Sequence, residues 1–323
     1  MSHPRAQRTV APSHLVRPGA IPHIGSNDAC ILFAYAILAR EAAMLADYRP
    51  QGENAPTAHA IHQLRVAARR LRVALRLFRR MLPSKAAAHL LAELRWFARS
   101  LGELRDLDVY AQAFKAYAQS LPPERRAQLS GYELFLRRER AAARVKAAAV
   151  FASARSAALF ARLHKFVAAG PSASAVRRWR SVSVRDAALQ SIRGSVGRVR
   201  RCAERLGERP QPAALHELRI KTKRLRYELE FFAEVYPQLK STAAACKAVQ
   251  DLLGAHQDAC VADERLKRYT AMLRKQKAHG ALSPALVDLR KSQLKVAREL
   301  KRSFKRQWPG FAATLDAAHH AVA

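Results

Sequence analysis

One basic segment occurs twice in this chain, and it constrains the fold more than any other feature. The first copy, residues 62–72, reads HQLRVAARRLR, and the second, residues 216–226, reads HELRIKTKRLR. Each copy places one histidine and three cations at positions i, i+3, i+7 and i+10. At about 100° per residue, these four side chains lie within roughly 80° of one face of an α-helix. A helix with such a cationic stripe beside a full apolar face is suited to a long anionic ligand.

The composition supports a polyanionic partner and a helical fold. The chain has 323 residues and a formal net charge of +33, because 58 Lys and Arg outnumber 25 Asp and Glu. This excess cannot be neutralised internally, so it predicts binding to polyphosphate, nucleic acid or an anionic surface. Ala, Leu and Arg dominate and β-branched runs are scarce, which predicts an all-α fold. The length allows two domains, each with its own core.

Several classes of protein are disfavoured by the sequence. The four cysteines are scattered without a CxxC pair, which indicates reduced thiols rather than a zinc site or a disulfide framework. No stretch reaches the ~18 apolar residues of a membrane span, and the first residues lack the apolar segment of a secretory signal. No glycine precedes a lysine as in a phosphate-binding P-loop. We therefore expect a cytoplasmic protein with no catalytic residue, no cofactor and no bound metal.

The order of helices and loops predicts an internal duplication. His62 and His216 are 154 residues apart, and the Leu-Gly pairs ending at Gly102 and Gly254 are 152 apart. Helical periodicity broken by Pro and Gly predicts two tandem, pseudo-symmetric bundles of the four-helix type, with a matching turn after each Leu-Gly pair. We expect four segments: a disordered basic tail at 1–26, an N-terminal bundle at 27–170, a C-terminal bundle at 171–312 and a tail at 313–323.

The basic stripes are predicted to lie inside the molecule rather than on its outer surface. On the helix predicted from about Thr57 to Leu82, apolar side chains flank the stripe on both sides. A purely solvated face would not need such flanks, so the stripe should line a groove or channel between packed helices. From Arg65 to Arg79 it extends about 21 Å at 1.5 Å per residue. Its arginines suit bidentate contacts with phosphate.

The second copy and the last helix of each half modify this prediction. Glu230 stands where the first copy has Arg76, so the second stripe is shorter and could end in a salt bridge. Asp106 and Asp258 follow the two Leu-Gly pairs and are expected to cap helices or pair with cations. Rows on the last helices could form the other wall of the channel, and their members are Arg140, Arg144, Lys291, Lys295 and Arg298.

The two histidines begin the stripes and are candidates for contact with the anion. A neutral imidazole donates one hydrogen bond, and a nearby anion raises its pKa so that it gains a charge. We therefore expect His62 and His216 to contact the ligand or to shape the channel.

The pattern His-x-Leu-Arg-Val/Ile-x-x-Arg/Lys-Arg-Leu-Arg, its repetition, and Leu-Gly-x-x-Arg-Asp-x-Asp-Val at 101–109 resemble the CHAD family, the conserved histidine α-helical domain. The resemblance covers roughly residues 28–310. It implies two pseudo-symmetric bundles around a basic central channel, binding of inorganic polyphosphate and association with polyphosphate granules. Together with Arg105 of the Leu-Gly element, it implicates His62, Arg65, Arg69, Arg72, Arg76, His216, Arg219, Lys223 and Arg226.

The chain departs from the family pattern in its second half, where Gln257 and Cys260 stand for Arg105 and Asp108. The Glu-x-Glu-x-Lys signature of the CYTH triphosphatase domain that accompanies many CHAD domains is missing, so we expect a stand-alone CHAD protein.

Non-catalytic polyphosphate binding is the leading function. Nucleic-acid binding is the alternative, although base-stacking aromatics are few beside the stripes. A metal-dependent polyphosphatase would need clustered carboxylates, which the stripes lack.

Overall fold

The computed structural model describes residues 24–50, 56–208, 210–275 and 283–320, and within these ranges its regular elements are helices, joined by one isolated β-bridge between Ala29 and Ser183. The predicted all-α class is confirmed. The helices are α1 (Cys30–Asp47), α2 (Ala58–Leu77), α3 (Ser84–Ser100), α4 (Gly102–Gln119), α5 (Pro123–Ala127), α6 (Ser130–Ala152), α7 (Ala154–Ala169), α8 (Ala173–Trp179), α9 (Val184–Glu204), α10 (Pro212–Phe232), α11 (Leu239–Lys275) and α12 (Pro284–His320).

The helix starts repeat along the chain. α1 and α9 begin at residues 30 and 184, α2 and α10 at 58 and 212, and α6 and α12 at 130 and 284, so each pair is 154 residues apart. This is also the spacing of His62 and His216, and each histidine is the fifth residue of its helix. The two basic segments therefore occupy equivalent positions in α2 and α10.

The halves differ at the Leu-Gly pairs. Leu101 separates α3 from α4, whereas Gly254 lies within the single helix α11, so the turn predicted after Gly254 is wrong. Leu253 and His256 are buried on either side of this glycine, and α11 packs along both α10 and α12. Tertiary packing thus outweighs the low helix propensity of one glycine.

The hydrophobic core is shared between the two halves. Phe33 of α1 stacks on Phe232 of α10 with ring centroids 5.6 Å apart, and it meets Phe78 edge-on at 6.1 Å. In a second, smaller cluster, Tyr132 of α6 packs against Tyr269 of α11 at 5.0 Å. Both clusters cross the boundary predicted after residue 170. The length allows a separate core in each half, but among the described residues aromatic contacts join the halves in both clusters.

Buried ion pairs fix α2 against α10. Glu41 of α1 is fully buried and accepts hydrogen bonds from Arg70 of α2, with an Arg70 Nε–Glu41 Oε2 distance of 2.8 Å. Arg70 also donates to Glu230 of α10, and Arg40 pairs with Glu41 and with Glu234. Buried charges are tolerated only when they are paired. The network therefore sets the register between the two basic helices.

The described structure extends into both predicted tails. Ile24 packs against the core, and the carbonyl of Ser26 accepts the N–H of Arg185 at 2.9 Å, so the fold begins before residue 27. Residues 1–23 of the predicted tail lie outside the described residues. At the other end, α12 continues to His320 because Leu315 and Ala318 are fully buried. The tail predicted from residue 313 is therefore helical as far as 320, and 321–323 lie outside the described residues.

The cysteines and the hydropathy of the helices agree with the sequence. All four cysteines are free thiols, three of them buried, and Cys260 is partly exposed. Across the described ranges, no helix combines the length and the apolar character needed to cross a bilayer.

Candidate anion-binding site

Helices α2 and α10 face each other across two adjoining cavities. The larger has a volume of about 680 Å³ and the smaller about 310 Å³. Four side chains line both, namely Arg69 of α2 and His216, Arg219 and Lys223 of α10. We call the two together the paired cavities. Nine predicted residues contribute to their walls: His62, Arg65, Arg69, Arg72, Arg76, Arg105, His216, Arg219 and Lys223.

The Leu-Gly pairs make room for two of these arginines. Arg65 crosses the start of α4, and its Nη1 donates a hydrogen bond to the carbonyl of Ala98 at 2.9 Å. In the second half, a Cβ atom on Gly254 would lie 3.2 Å from Nη2 of Arg219. Glycine thus recurs at these positions because a guanidinium approaches the backbone closely. Both glycines are visible in the sequence, where the Leu-Gly pattern predicts a turn rather than this contact.

Two carboxylates share the larger cavity with the cations. Asp106 lies 3.8 Å from Nη2 of Arg65, as the salt-bridge prediction for Asp106 required. Burial raises the pKa of Asp258, and the charge of Asp106 adds to this effect, while Arg219 opposes it. Within the described ranges, no group of three or more His, Cys, Asp or Glu side chains could hold a metal ion.

Burial and mutual repulsion lower the pKa values of the basic side chains at the centre of the site. Burial lowers the pKa of Lys223 to about 7, with further contributions from Arg69 and Arg219. Burial also lowers the pKa of His62, assisted first by Arg105, and that of His216, assisted first by Arg219. The ligand-free site therefore disfavours the charges that it contains. An anion among these groups would raise all three pKa values, as predicted for the histidines.

Helix α3 supplies cations that the sequence reasoning missed. Burial lowers the pKa of Arg72 to about 10, and the charges of Arg76 and Arg69 contribute before those of Arg95 and Arg99. The two α3 arginines are four residues apart, so they share one helix face and extend the basic surface beside the smaller cavity. This i, i+4 spacing was visible in the sequence, but only the packing of α3 on α2 places it near the stripe.

The second stripe is rotated relative to the prediction. Arg226 pairs with Glu230 at 3.1 Å, and its guanidinium lies 4.6 Å from the ring centroid of Tyr227. The predicted salt bridge at the end of this stripe is thereby confirmed. Arg226 is absent from the walls of the paired cavities, as far as the described residues define them, and Arg224 takes its place beside Lys223.

A difference between α1 and α9 explains this exchange. Arg70, the counterpart of Arg224 154 residues earlier, is held by the buried carboxylate of Glu41. Ser195 stands 154 residues after Glu41, so α9 offers a hydroxyl at the equivalent position. Arg224 instead pairs with Glu228 of its own helix at 2.8 Å and remains at the wall of the smaller cavity.

The cations predicted on the last helices of each half do not reach the paired cavities. Arg140 pairs with Asp108 at 2.6 Å, and Lys295 lies 3.9 Å from Glu299. Lys291 borders a separate cavity of about 280 Å³. Among the described residues, the wall contributed by α12 consists of Leu289, Gln293 and Val296. Around the helix, Lys291 is about 160° from both Leu289 and Gln293, and Lys295 is about 160° from Gln293 and about 100° from Val296. Two further predicted cations stand outside these walls, namely Arg144 and Arg298.

Two curated relatives are similar to this chain over part of its length. They are the "Uncharacterized protein MT2285" of Mycobacterium tuberculosis (strain CDC 1551 / Oshkosh) and the "Uncharacterized protein Rv2226" of Mycobacterium tuberculosis (strain ATCC 25618 / H37Rv). Each is 29% identical over 217 residues, which is 64% of this chain and 40% of the relative. The similarity thus spans less than half of either relative.

Two solved structures share the fold. The CHAD domain from the plant Ricinus communis superimposes with a TM-score of 0.65 at 24% identity and covers 94% of both chains. PptA from Streptomyces chartreusis gives a TM-score of 0.62 at 17% identity and covers 86% of this chain and 98% of its own. The sequence model of the CHAD domain family matches residues 36–267, which are most of the chain. With the repeated basic helices and the two glycines that accommodate their arginines, this match establishes that the chain belongs to the CHAD domain family.

Proposed function

We propose that this protein binds inorganic polyphosphate in the paired cavities and does not hydrolyse it. The observation that carries this proposal is the convergence of cations from α2 and α10 on two cavities that share four wall residues. Along α2, the wall residues from His62 to Arg76 extend about 21 Å. This length favours a linear anion over a single phosphate group. The resemblance to CHAD proteins supports polyphosphate as that anion.

The electrostatics of the site support a ligand with many closely spaced charges. Lys223 has its pKa lowered to about 7 because it is buried among Arg69, Arg219 and other cations. A polyanion would relieve this repulsion at several positions simultaneously. It would also release counterions from the protein and from itself, so its affinity should fall steeply as the salt concentration rises.

The proposal includes the absence of catalysis and a place in the cell. The carboxylates in the larger cavity, Asp106 and Asp258, are close to Arg65 and Arg219, which suits holding cations in position. We also propose that the protein is located at polyphosphate granules in the cytoplasm, because a protein that binds polyphosphate would be retained there. Phosphate release from polyphosphate in the presence of Mg²⁺ or Mn²⁺ would contradict the non-catalytic part.

The test compares two triple variants that lose the same charge. Arg65, Arg69 and Arg72 are changed together to Ala, and the control changes Arg144, Lys291 and Arg298 to Ala. Charge-assisted hydrogen bonds contribute about 1.5–3 kcal/mol each. We therefore expect the first variant to lose at least ~100-fold in affinity for long-chain polyphosphate, and the control only a few-fold. Thermal unfolding of both variants verifies that they fold.

Competition with nucleic acid separates the leading function from its alternative. Polyphosphate and duplex DNA are compared at equal phosphate concentration and moderate salt. We expect polyphosphate to displace DNA, because a duplex is too wide for cavities of this size. Equal losses in the two triple variants, or displacement of polyphosphate by DNA, would instead indicate binding through the overall positive charge.

A further inference from the structure

The larger cavity changes in character along its length. On the wall formed by α4, Arg105 and Asp106 are followed by Val109, Ala113 and Tyr117. Arg105 and Tyr117 are 12 residues apart, so this wall extends about 18 Å. It passes from charged to apolar and aromatic side chains over that distance.

The other helices around this end contribute apolar and neutral groups. α12 supplies Leu289, Gln293 and Val296, and α11 supplies Val261. Among the described residues of the walls, the cations belong to α2, α10 and the first turn of α4. Inorganic polyphosphate has no part that complements an apolar wall. The cavity therefore has room for a ligand in which an organic group is joined to a row of phosphates.

Tyr110 stands at the transition between the two ends and is held in place by its neighbours. Its hydroxyl lies 2.9 Å from that of Tyr132, and the guanidinium of Arg265 lies 5.8 Å from its ring centroid. Tyr132 is itself fully buried in the smaller hydrophobic cluster. An aromatic side chain fixed in this way can contact a flat ligand without a large loss of conformational freedom.

We propose that the larger cavity binds nucleoside polyphosphates. The phosphates would lie among His62, Arg65 and the four side chains shared with the smaller cavity, so the inference rests on the proposed function. The base would lie at the apolar end, between α4 and α12, where Gln293 offers an amide donor and acceptor. The volume of about 680 Å³ is within the range of about 300–1,000 Å³ that is typical of small-molecule sites.

The experiment compares two ligands that differ by the nucleoside. The affinities of the full chain for ATP and for inorganic tripolyphosphate are measured by calorimetry at the same pH and salt concentration, without divalent cations. Stacking of one base on aromatic side chains corresponds to roughly 5- to 150-fold in affinity. We expect ATP to bind at least about tenfold more tightly than tripolyphosphate. Equal or weaker binding of ATP would overturn the inference.

Two variants locate the difference. Ala113 is exposed, so Ala113→Trp should fold while its indole fills the apolar end. It is expected to abolish the preference for ATP and to leave the affinity for tripolyphosphate within about twofold. Arg76→Ala, at the far end of the smaller cavity, is the matched control and should leave the preference for ATP intact. A preference that survives Ala113→Trp would place the base elsewhere and count against the inference.

Long-chain polyphosphate, titrated in parallel, separates this inference from the proposed function. Binding of polyphosphate without a preference for ATP over tripolyphosphate would leave the proposed function standing and overturn the nucleotide site. Preferential binding of ATP without binding of long-chain polyphosphate would overturn the proposed function and leave the nucleotide site standing. A single-stranded oligonucleotide that bound far more tightly than ATP would assign the aromatic end to a nucleic-acid strand, against the inference.

Discussion

A Cβ atom built on Gly102 would lie 2.8 Å from Nη1 of Arg65. Real Cβ atoms do not approach a nitrogen so closely, so Arg65 keeps its position only beside a glycine. In the second half, Gly254 lies in the middle of α11, and a Cβ atom added there would be 3.2 Å from Nη2 of Arg219, so Arg219 would have to move by only a few tenths of an ångström. Both Leu-Gly pairs thus lie against the guanidinium of an arginine from a basic helix, and the contact is closer at Gly102.

Gly102→Ala should weaken polyphosphate binding even though alanine favours a helix more than glycine does. The new methyl group would displace the guanidinium of Arg65 from the carbonyl of Ala98, with a loss of about 1–2 kcal/mol in binding free energy. Calorimetry at fixed salt gives the comparison. Gly310→Ala in α12 is the control, because no atom lies within 4 Å of its added Cβ. Equal affinity in both variants would disprove the positioning role of Gly102.

Arg70 and Arg72 are two positions apart and should behave in opposite ways. Arg70→Ala removes a partner of the fully buried Glu41, which should lower the free energy of unfolding by about 3 kcal/mol. Arg72 is surrounded by other cations, so Arg72→Ala should leave that free energy unchanged or raise it while weakening polyphosphate binding. Urea denaturation and binding assays on both variants provide the check. Similar stability losses would show that Arg72 is a structural residue.

Arg224 and Arg226 form a second matched pair. Each has a carboxylate partner within its own helix, but Glu228 is fully buried, whereas Glu230 is partly exposed and is also held by Arg70. Arg224→Gln should therefore cost more stability than Arg226→Gln, and binding is compared under conditions in which both variants are folded. Only Arg224 borders the smaller cavity, and Arg224→Gln is therefore expected to lower polyphosphate affinity by about tenfold or more. Arg226→Gln should change it by less than about twofold. The reverse order would favour the stripe predicted from the sequence.

Polyphosphate binding should be coupled to proton uptake. In the free protein, the pKa of Lys223 is lowered to about 7 from 10.5, so above pH 7 this side chain is mostly neutral. Bound phosphates raise that pKa, and the complex then holds more protons than the free protein. Affinity should consequently fall as the pH rises above about 7. Burial also lowers the pKa values of His62 and His216, so the histidines add the same dependence at lower pH.

Proton uptake is measured by calorimetry in two buffers with different ionisation enthalpies. Lys223→Arg keeps the charge but remains protonated throughout this range, so it should reduce the uptake at pH 8 and flatten the decrease in affinity. Uptake that is unchanged in Lys223→Arg would assign the effect to other groups.

The sequence by itself determined the helical class, the 154-residue repeat and the face of α2 that carries His62 to Arg76. These follow from local periodicity, since residues three and four apart share a helix face whatever surrounds them. The sequence also shows the glycines at 102 and 254, but the close approach of Arg65 and Arg219 to them is seen only in the tertiary structure. The second copy has Glu230 where the first has Arg76, and this difference predicts a salt bridge at the end of the second stripe. In the structure, Glu230 pairs with Arg226, which does not line the paired cavities as far as the described residues define them.

Only the tertiary structure decided which cations reach the paired cavities. Arg224 replaces Arg226 there because Glu41 holds Arg70 in one half and Ser195 stands at its counterpart in the other. The rotation of α12 turns its lysines away and brings Leu289 into the wall. Such outcomes depend on partners that are remote in sequence, and a buried charge remains where a carboxylate can pair with it. The same packing joined the two halves in a shared core and brought the aromatic residues of α4 to the anion site.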